Sequence, residues 1–271
     1  MGKVYVLKEP RNDKSWNIYA LREASRLKKW FDGVYYSPQL KRLLIVFRPT
    51  PGTHVNHLVF EEIGESVLKD AYRMLCPEGC SRCCVANSGA FILENEVDII
   101  PDEETRMKIM VQPSEVIRTP GGPIRIYYLA TESLGRCIFL NPRTGKCMLE
   151  ERFGKQYKPV ICTITYCTVF AERQGQKYVK TGYRVLGGGR VELYYRRVSD
   201  EEFEKAVERM GTMLRKLRRV LPILRERERE QKEKEQAEGE TDQQRGKKRM
   251  SRIERLRYQA KYMQRPHLLK K

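Results

Sequence analysis

Hydrophobic and polar positions along this chain follow two different periods, and the changes of period mark out its elements. The apolar run Val4–Leu7 predicts a short strand. Ile18, Leu21, Ala24 and Leu27 recur every third residue. That spacing predicts a helix from a Ser15 cap to about Phe31, with those four on one stripe. Lys28 and Lys29 stand near its C-terminal end, where cations are favoured. Two strands follow, around Gly33–Ser37 and Leu40–Phe47, with a turn at Pro38-Gln39. Pro49-Thr-Pro-Gly52 breaks the chain. A second helix is expected over about Val55–Leu75, burying Leu58, Ile63, Val67, Ala71 and Leu75.

The second half reads similarly. Ala90–Ile100 is apolar, interrupted by Glu94, Glu96 and Asp98, and Pro101-Asp-Glu-Glu opens a short helix to about Met110. Gly121-Gly-Pro is a turn before a strand over Ile124–Ala130. Between Cys137 and Cys147, two short apolar stretches flank a turn built on Asn141, Pro142 and Gly145, which would bring the two cysteines close. Met148–Phe153 predicts a helical turn. Tyr178–Val185 and Val191–Val198 flank Gly187-Gly-Gly, a hairpin signal. Ser199-Asp-Glu-Glu202 fits a capping box. Its helix is expected to reach about Leu221, with Phe203, Ala206, Met210, Met213, Leu214 and Leu217 on one side and Pro222 beyond. Arg/Glu alternation, a linker over Gly239–Gly246 and a basic helix over Ser251–Tyr262 complete the chain.

The pattern predicts an α+β protein in four segments. Residues 1–75 form a β-α-β-β-α module, 76–170 a central cysteine-rich metal domain, 171–222 a hairpin and packing helix, and 223–271 a charged tail.

Charge adds a candidate partner. Net charge is +18 over 271 residues. Residues 245–271 hold eleven Lys or Arg against one acid, and residues 1–50 hold eleven against four. Basic regions at both ends point to a polyanion, and RNA or a ribonucleoprotein is the natural candidate. The expected contacts in the tail are Arg245, Lys247, Lys248, Arg249, Arg252, Arg255, Arg257 and Lys261. Trp16, Tyr19, Trp30, Tyr35 and Tyr36 are better read as core aromatics than as an RNA surface. The N-terminus lacks a secretory apolar run and no stretch reaches the roughly 20 apolar residues of a membrane helix, so a cytoplasmic location with no membrane partner is expected.

The cysteines carry the chemistry. Cys76, Cys80, Cys83 and Cys84 lie within nine residues, and Cys137, Cys147, Cys162 and Cys167 follow. A reducing cytoplasm favours metal over disulfides; intracellular proteins of hyperthermophiles are the exception. Thiolate ligates zinc and iron–sulfur clusters alike. Eight thiols allow two four-sulfur sites, or one with spare cysteines. Cys83 and Cys84 are adjacent and tend to point apart, so one of them serves a shared ion most easily. A 4Fe-4S cluster is expected, with zinc as the alternative, and Cys76, Cys80, Cys83 and Cys162 as the favoured ligands. His54 and His57, at i and i+3, read as ordinary surface residues of the second helix.

The motif resembles the YkgJ-type cysteine-cluster family of zinc- or iron-chelating domains. It is carried by Cys76-x3-Cys80-x2-Cys83-Cys84, Cys137-Ile-Phe-Leu140, Cys147 and Lys158-Pro159-Val-Ile-Cys162, covering about residues 76–170. Lysine replaces the family's usual arginine at 158. The resemblance implies a metal centre and no particular reaction; a related pattern in flagellin lysine methylases keeps a protein-modifying role in view. Cys76-x3-Cys80-x2-Cys83 also has the spacing of radical S-adenosylmethionine enzymes, but the strand–helix alternation of their barrels is not evident after residue 84. A non-catalytic metal module bound to RNA is therefore expected, with an iron–sulfur enzyme as the alternative.

Overall fold

The computed structural model describes residues 3–9, 11, 13–78, 80, 84, 90–129, 136–165, 167–212 and scattered positions between 215 and 233. Chain contacts divide it into one unit over Met1–Leu217 and a second over Arg218–Lys271. The described positions of the second unit are helical and include Pro222, where the sequence pattern ends the helix. Among the described residues no helix is long and apolar enough to cross a membrane.

The first unit is mixed α+β. Its large sheet has eight antiparallel strands: β1 (Val4–Leu7), β2 (Phe31–Ser37), β3 (Arg42–Phe47), β4 (Phe60–Ile63), β5 (Tyr72–Met74), β9 (Phe170–Arg173), β10 (Gln176–Gly187) and β11 (Arg190–Arg197). They run in the order β11-β10-β9-β5-β2-β3-β1-β4. Strands from both ends of the unit thus share one sheet. A second sheet, β6 (Phe91–Leu93), β8 (Gly122–Tyr128) and β7 (Ser114–Thr119), is antiparallel in that spatial order.

The expected helix over 55–75 is not formed. That segment instead makes β4, one turn of helix α2 (Ser66–Lys69) and β5. Leu58 is 72% exposed, so the supposed apolar stripe does not face a core. Phe60 is buried against Phe47 in an edge-to-face pair 5.4 Å apart. Tertiary pairing with β1 and β2 has overridden the local helical period. The first module is therefore β-α-β-β-β-β, with one short helical turn before its last strand, and not β-α-β-β-α.

Helix α1 (Lys14–Leu27) is the layer between the sheets. Asp13, two residues before the expected Ser15, is its cap and accepts from the Ser15 N–H at 2.8 Å. Ile18, Leu21, Ala24 and Leu27 are buried as their spacing predicts. They pack with Tyr5, Phe47 and Phe60 of the large sheet and with Leu93, Ile117 and Ile126 of the small one. Each such apolar side chain contributes roughly 1.5–3 kcal/mol. The β7–β8 turn docks closely on this helix: Arg22 Nη1 donates to the Gly121 carbonyl at 2.7 Å.

The remaining helices are short. Helices α3 (Glu94–Val97) and α4 (Glu103–Met110) follow β6; α5 (Met148–Phe153) and α6 (Val160–Ile164) follow the Cys137–Cys147 turn. Ser199 and Glu202 form the predicted capping box of α7 (Asp200–Met210), whose Phe203 packs on Phe170. The β10–β11 hairpin curls back toward the β2–β3 turn. Tyr36 Oη accepts from the Leu193 N–H at 3.0 Å, and the Val191 N–H donates to the Lys41 carbonyl at 2.7 Å.

Candidate metal centre

The turn after Cys137 is built from its own polar residues. Asn141 N–H donates to the Lys146 carbonyl and Gly145 N–H to the Asn141 carbonyl, at 2.9 and 2.8 Å. Gly145 has φ +76°, which a side chain would resist. Met148 N–H donates to the Phe139 carbonyl at 2.8 Å, and Leu140 pairs with Cys147 in an isolated bridge. Cys137 and Cys147 therefore flank one compact turn, as expected. Beneath them lie Ile92, Ile109, Leu129, Phe139 and Leu149.

Cys162 arrives from elsewhere in the sequence, on α6. Its approach is fixed by a buried ion pair that the sequence pattern did not single out. Lys28 Nζ lies 2.8 Å from Glu96 Oε1 and donates to the Lys158 carbonyl at 2.7 Å. Glu96 Oε1 also accepts from the Val160 N–H at 2.8 Å. Two charges thus clamp the backbone on both sides of Pro159, three residues before Cys162. Lys158 Nζ in turn bonds Glu150 Oε2 at 2.9 Å.

These thiols sense one another. Burial, followed by the charges of Cys137 and Cys147, pushes Cys162 up to about 12. Burial pushes Cys137 up to about 11, with Cys147 as a further cause, and raises Cys147 as well. Burial works against the charge of Lys158, but Glu150 and then Cys76 and Cys147 outweigh it and hold the amine above the ordinary lysine range. Arg136 lies near Cys137 and favours its thiolate, and its buried Nε has no hydrogen-bond partner among the described residues.

Cys84 and Glu78 border this site. Cys137 N–H donates to the Cys84 carbonyl at 3.1 Å, and Glu78 pairs with Lys146 at 2.9 Å. Cys76 is exposed and Cys84 half-buried. Cys80 has a different setting, buried among Phe170, Val198 and Phe203. Cys167 adjoins Tyr195; burial first, then Tyr36 and Cys167, raise that phenol. Cys83 and all eight basic tail residues singled out above lie outside the described residues. His54 and His57 are exposed in the loop before β4, not on a helix. Among the described residues, no group of three or more Cys, His, Asp or Glu side chains stands in a ligating arrangement. Cys137, Cys147, Cys162 and Cys167 are free thiols.

No protein-family model, curated protein or solved structure matches this chain. The family resemblance accordingly rests on the cysteine pattern itself.

Proposed function

We propose that this is a metal-binding protein whose centre is built on Cys137, Cys147 and Cys162, completed by Cys76 or Cys84, and that it associates with RNA or a ribonucleoprotein through its basic ends. The observation that carries the metal reading is the electrostatic coupling of three buried thiols from two remote segments, within the field of Lys158 and Arg136. Thiolates ligating a metal there would have their charge offset by these two cations.

The donor chemistry fits a sulfur-ligated group. Its candidate donors are thiols, and the unpartnered Arg136 Nε is available to a sulfur or sulfide acceptor. A 4Fe-4S cluster is the favoured occupant and zinc the alternative. A bound cluster would supply electron transfer or a covalent brace. The chain's own contribution is to hold the thiols at the ends of a rigid turn and a clamped helix, and to keep two cations beside them. Cys80, in its apolar cluster, is assigned to packing, in place of the ligand role expected from spacing.

Anaerobic purification with iron, sulfide and zinc analysis tests the metal reading. A visible charge-transfer band bleached by dithionite identifies the cluster; stoichiometric zinc without that band identifies zinc. RNA association predicts affinity for bulk RNA that falls steeply with salt. Absent or salt-insensitive binding removes that part. The radical S-adenosylmethionine alternative draws no support from the fold, because the described strands pair antiparallel throughout.

A further inference from the structure

The hairpin β10–β11 outruns its neighbour. β9 pairs with β10 only over Gln176–Val179, whereas β11 follows it to Gly187. Between 176 and 197 the chain has six Lys or Arg and one acid, Glu192. Cross-strand partners share a face. Leu193 is buried and turns its face toward Tyr36 and Met74. The opposite face carries Tyr194 facing Gly182, and Glu192 facing Arg184, with Arg190 further along β11.

Tyr194 is 46% exposed. A Cβ on Gly182 would lie 3.5 Å from its Cδ2, so the ring rests over the glycine with the rest open to solvent. Glu192 is already engaged, paired with Lys41 at 3.0 Å and accepting from the Tyr194 hydroxyl at 2.9 Å. Arg184 and Arg190 are exposed and form no ion pair among the described residues. A solvated hairpin needs charge; it does not need an open aromatic ring with two exposed guanidiniums further along the same face.

We propose that this face binds single-stranded nucleic acid, with a base stacked on Tyr194 and phosphates held by Arg184 and Arg190. An aromatic platform accepts any base, and guanidinium forks match phosphate oxygens. A duplex keeps its bases stacked within itself, so the platform selects unpaired strands. The proposal rests on the RNA reading above for the class of polymer, but places the contact on the hairpin and not on the basic ends.

Fluorescence polarisation of the full chain with oligouridylate, oligothymidylate and an RNA duplex of equal length tests it. Tyr194→Ala removes the platform, while Tyr194→Phe keeps the ring and drops only the hydroxyl bond to Glu192. Tyr194→Ala is expected to weaken single-strand binding at least about fivefold, with Tyr194→Phe close to the parent. Preference for oligouridylate assigns RNA; equal affinity assigns single strands in general; both support the proposal. Unchanged binding by Tyr194→Ala, or stronger binding of the duplex, overturns it. A chain carrying Lys247→Glu and Lys248→Glu reports on the tail separately: loss there with none at Tyr194 keeps the broader RNA reading and sinks the hairpin. Absence of binding by the parent chain removes both. If Tyr194→Ala does not fold, ultraviolet crosslinking of the parent decides. Crosslinked peptides within 176–197 support the proposal and their absence contradicts it.

Discussion

Lys28 Nζ lies 2.8 Å from Glu96 Oε1, and the two side chains are 6% and 3% exposed. The pair joins the end of α1 to α3, and both partners also bind the backbone flanking Pro159. Removing one partner of such a pair leaves a buried, uncompensated charge and costs about 3–5 kcal/mol. Glu96→Ala should therefore lower the denaturation free energy by about that much in urea melts, and more than Glu96→Gln, which keeps an acceptor for the Val160 N–H. The double variant Lys28→Met, Glu96→Leu should regain much of the stability, because a buried pair is replaceable by apolar side chains. It should still hold metal less well, since the segment leading to Cys162 loses its clamp. Equal metal content in parent and double variant would show that the pair does not position the site.

The raised thiols give a pH dependence with a definite sign. Burial, then the neighbouring thiols, raise Cys162 to about 12 from the ordinary 9.0. A raised group holds its proton more tightly folded than unfolded, so its contribution is complete below the ordinary value and is lost as pH climbs through the folded one. Metal-free chain should lose stability progressively above pH 9, toward about 12. Denaturant melts at stepped alkaline pH check this, and Cys162→Ser should flatten the slope. An identical slope in that variant would contradict the buried placement of Cys162.

Docking of the small sheet on α1 can be tested at Gly121. A Cβ there would lie 2.7 Å from Tyr19 Cε2. Tyr19 is buried and bonded to Asn56, so its ring has little freedom to yield. Gly121→Ala is expected to cost about 1–3 kcal/mol, the range for overpacking a core. A thermal melt unchanged from the parent would mean that the β7–β8 turn does not sit against the helix.

Where local chemistry is decisive, the sequence was a good guide. The Val4–Leu7 strand, the Met148–Phe153 turn of helix, the triple-glycine hairpin and the Ser199 capping box all stand where expected. Asparagine and glycine at 141 and 145 were enough to infer the turn that joins Cys137 and Cys147. The 55–75 segment misled because its helical spacing is coincidental: β1 and β2 offer open edges, and sheet pairing outweighs a local preference. In the sequence Glu96 is one of three acids that interrupt the apolar run 90–100. Its burial depends on Lys28, 68 residues away, and no local pattern reports a partner so distant. An acid inside the apolar run 90–100 was the available signal. Cys80 is buried beside Phe170 and Phe203, a setting that spacing does not report.

The most direct measurement is the metal content per chain of anaerobically purified protein, compared with Cys137→Ser, Cys147→Ser, Cys162→Ser and Cys80→Ala. The account predicts stoichiometric iron–sulfur cluster or zinc in the parent, its loss in each of the three serine variants, and its retention in Cys80→Ala. A parent chain that takes up neither metal after anaerobic reconstitution, or serine variants that keep it in full, would contradict the account.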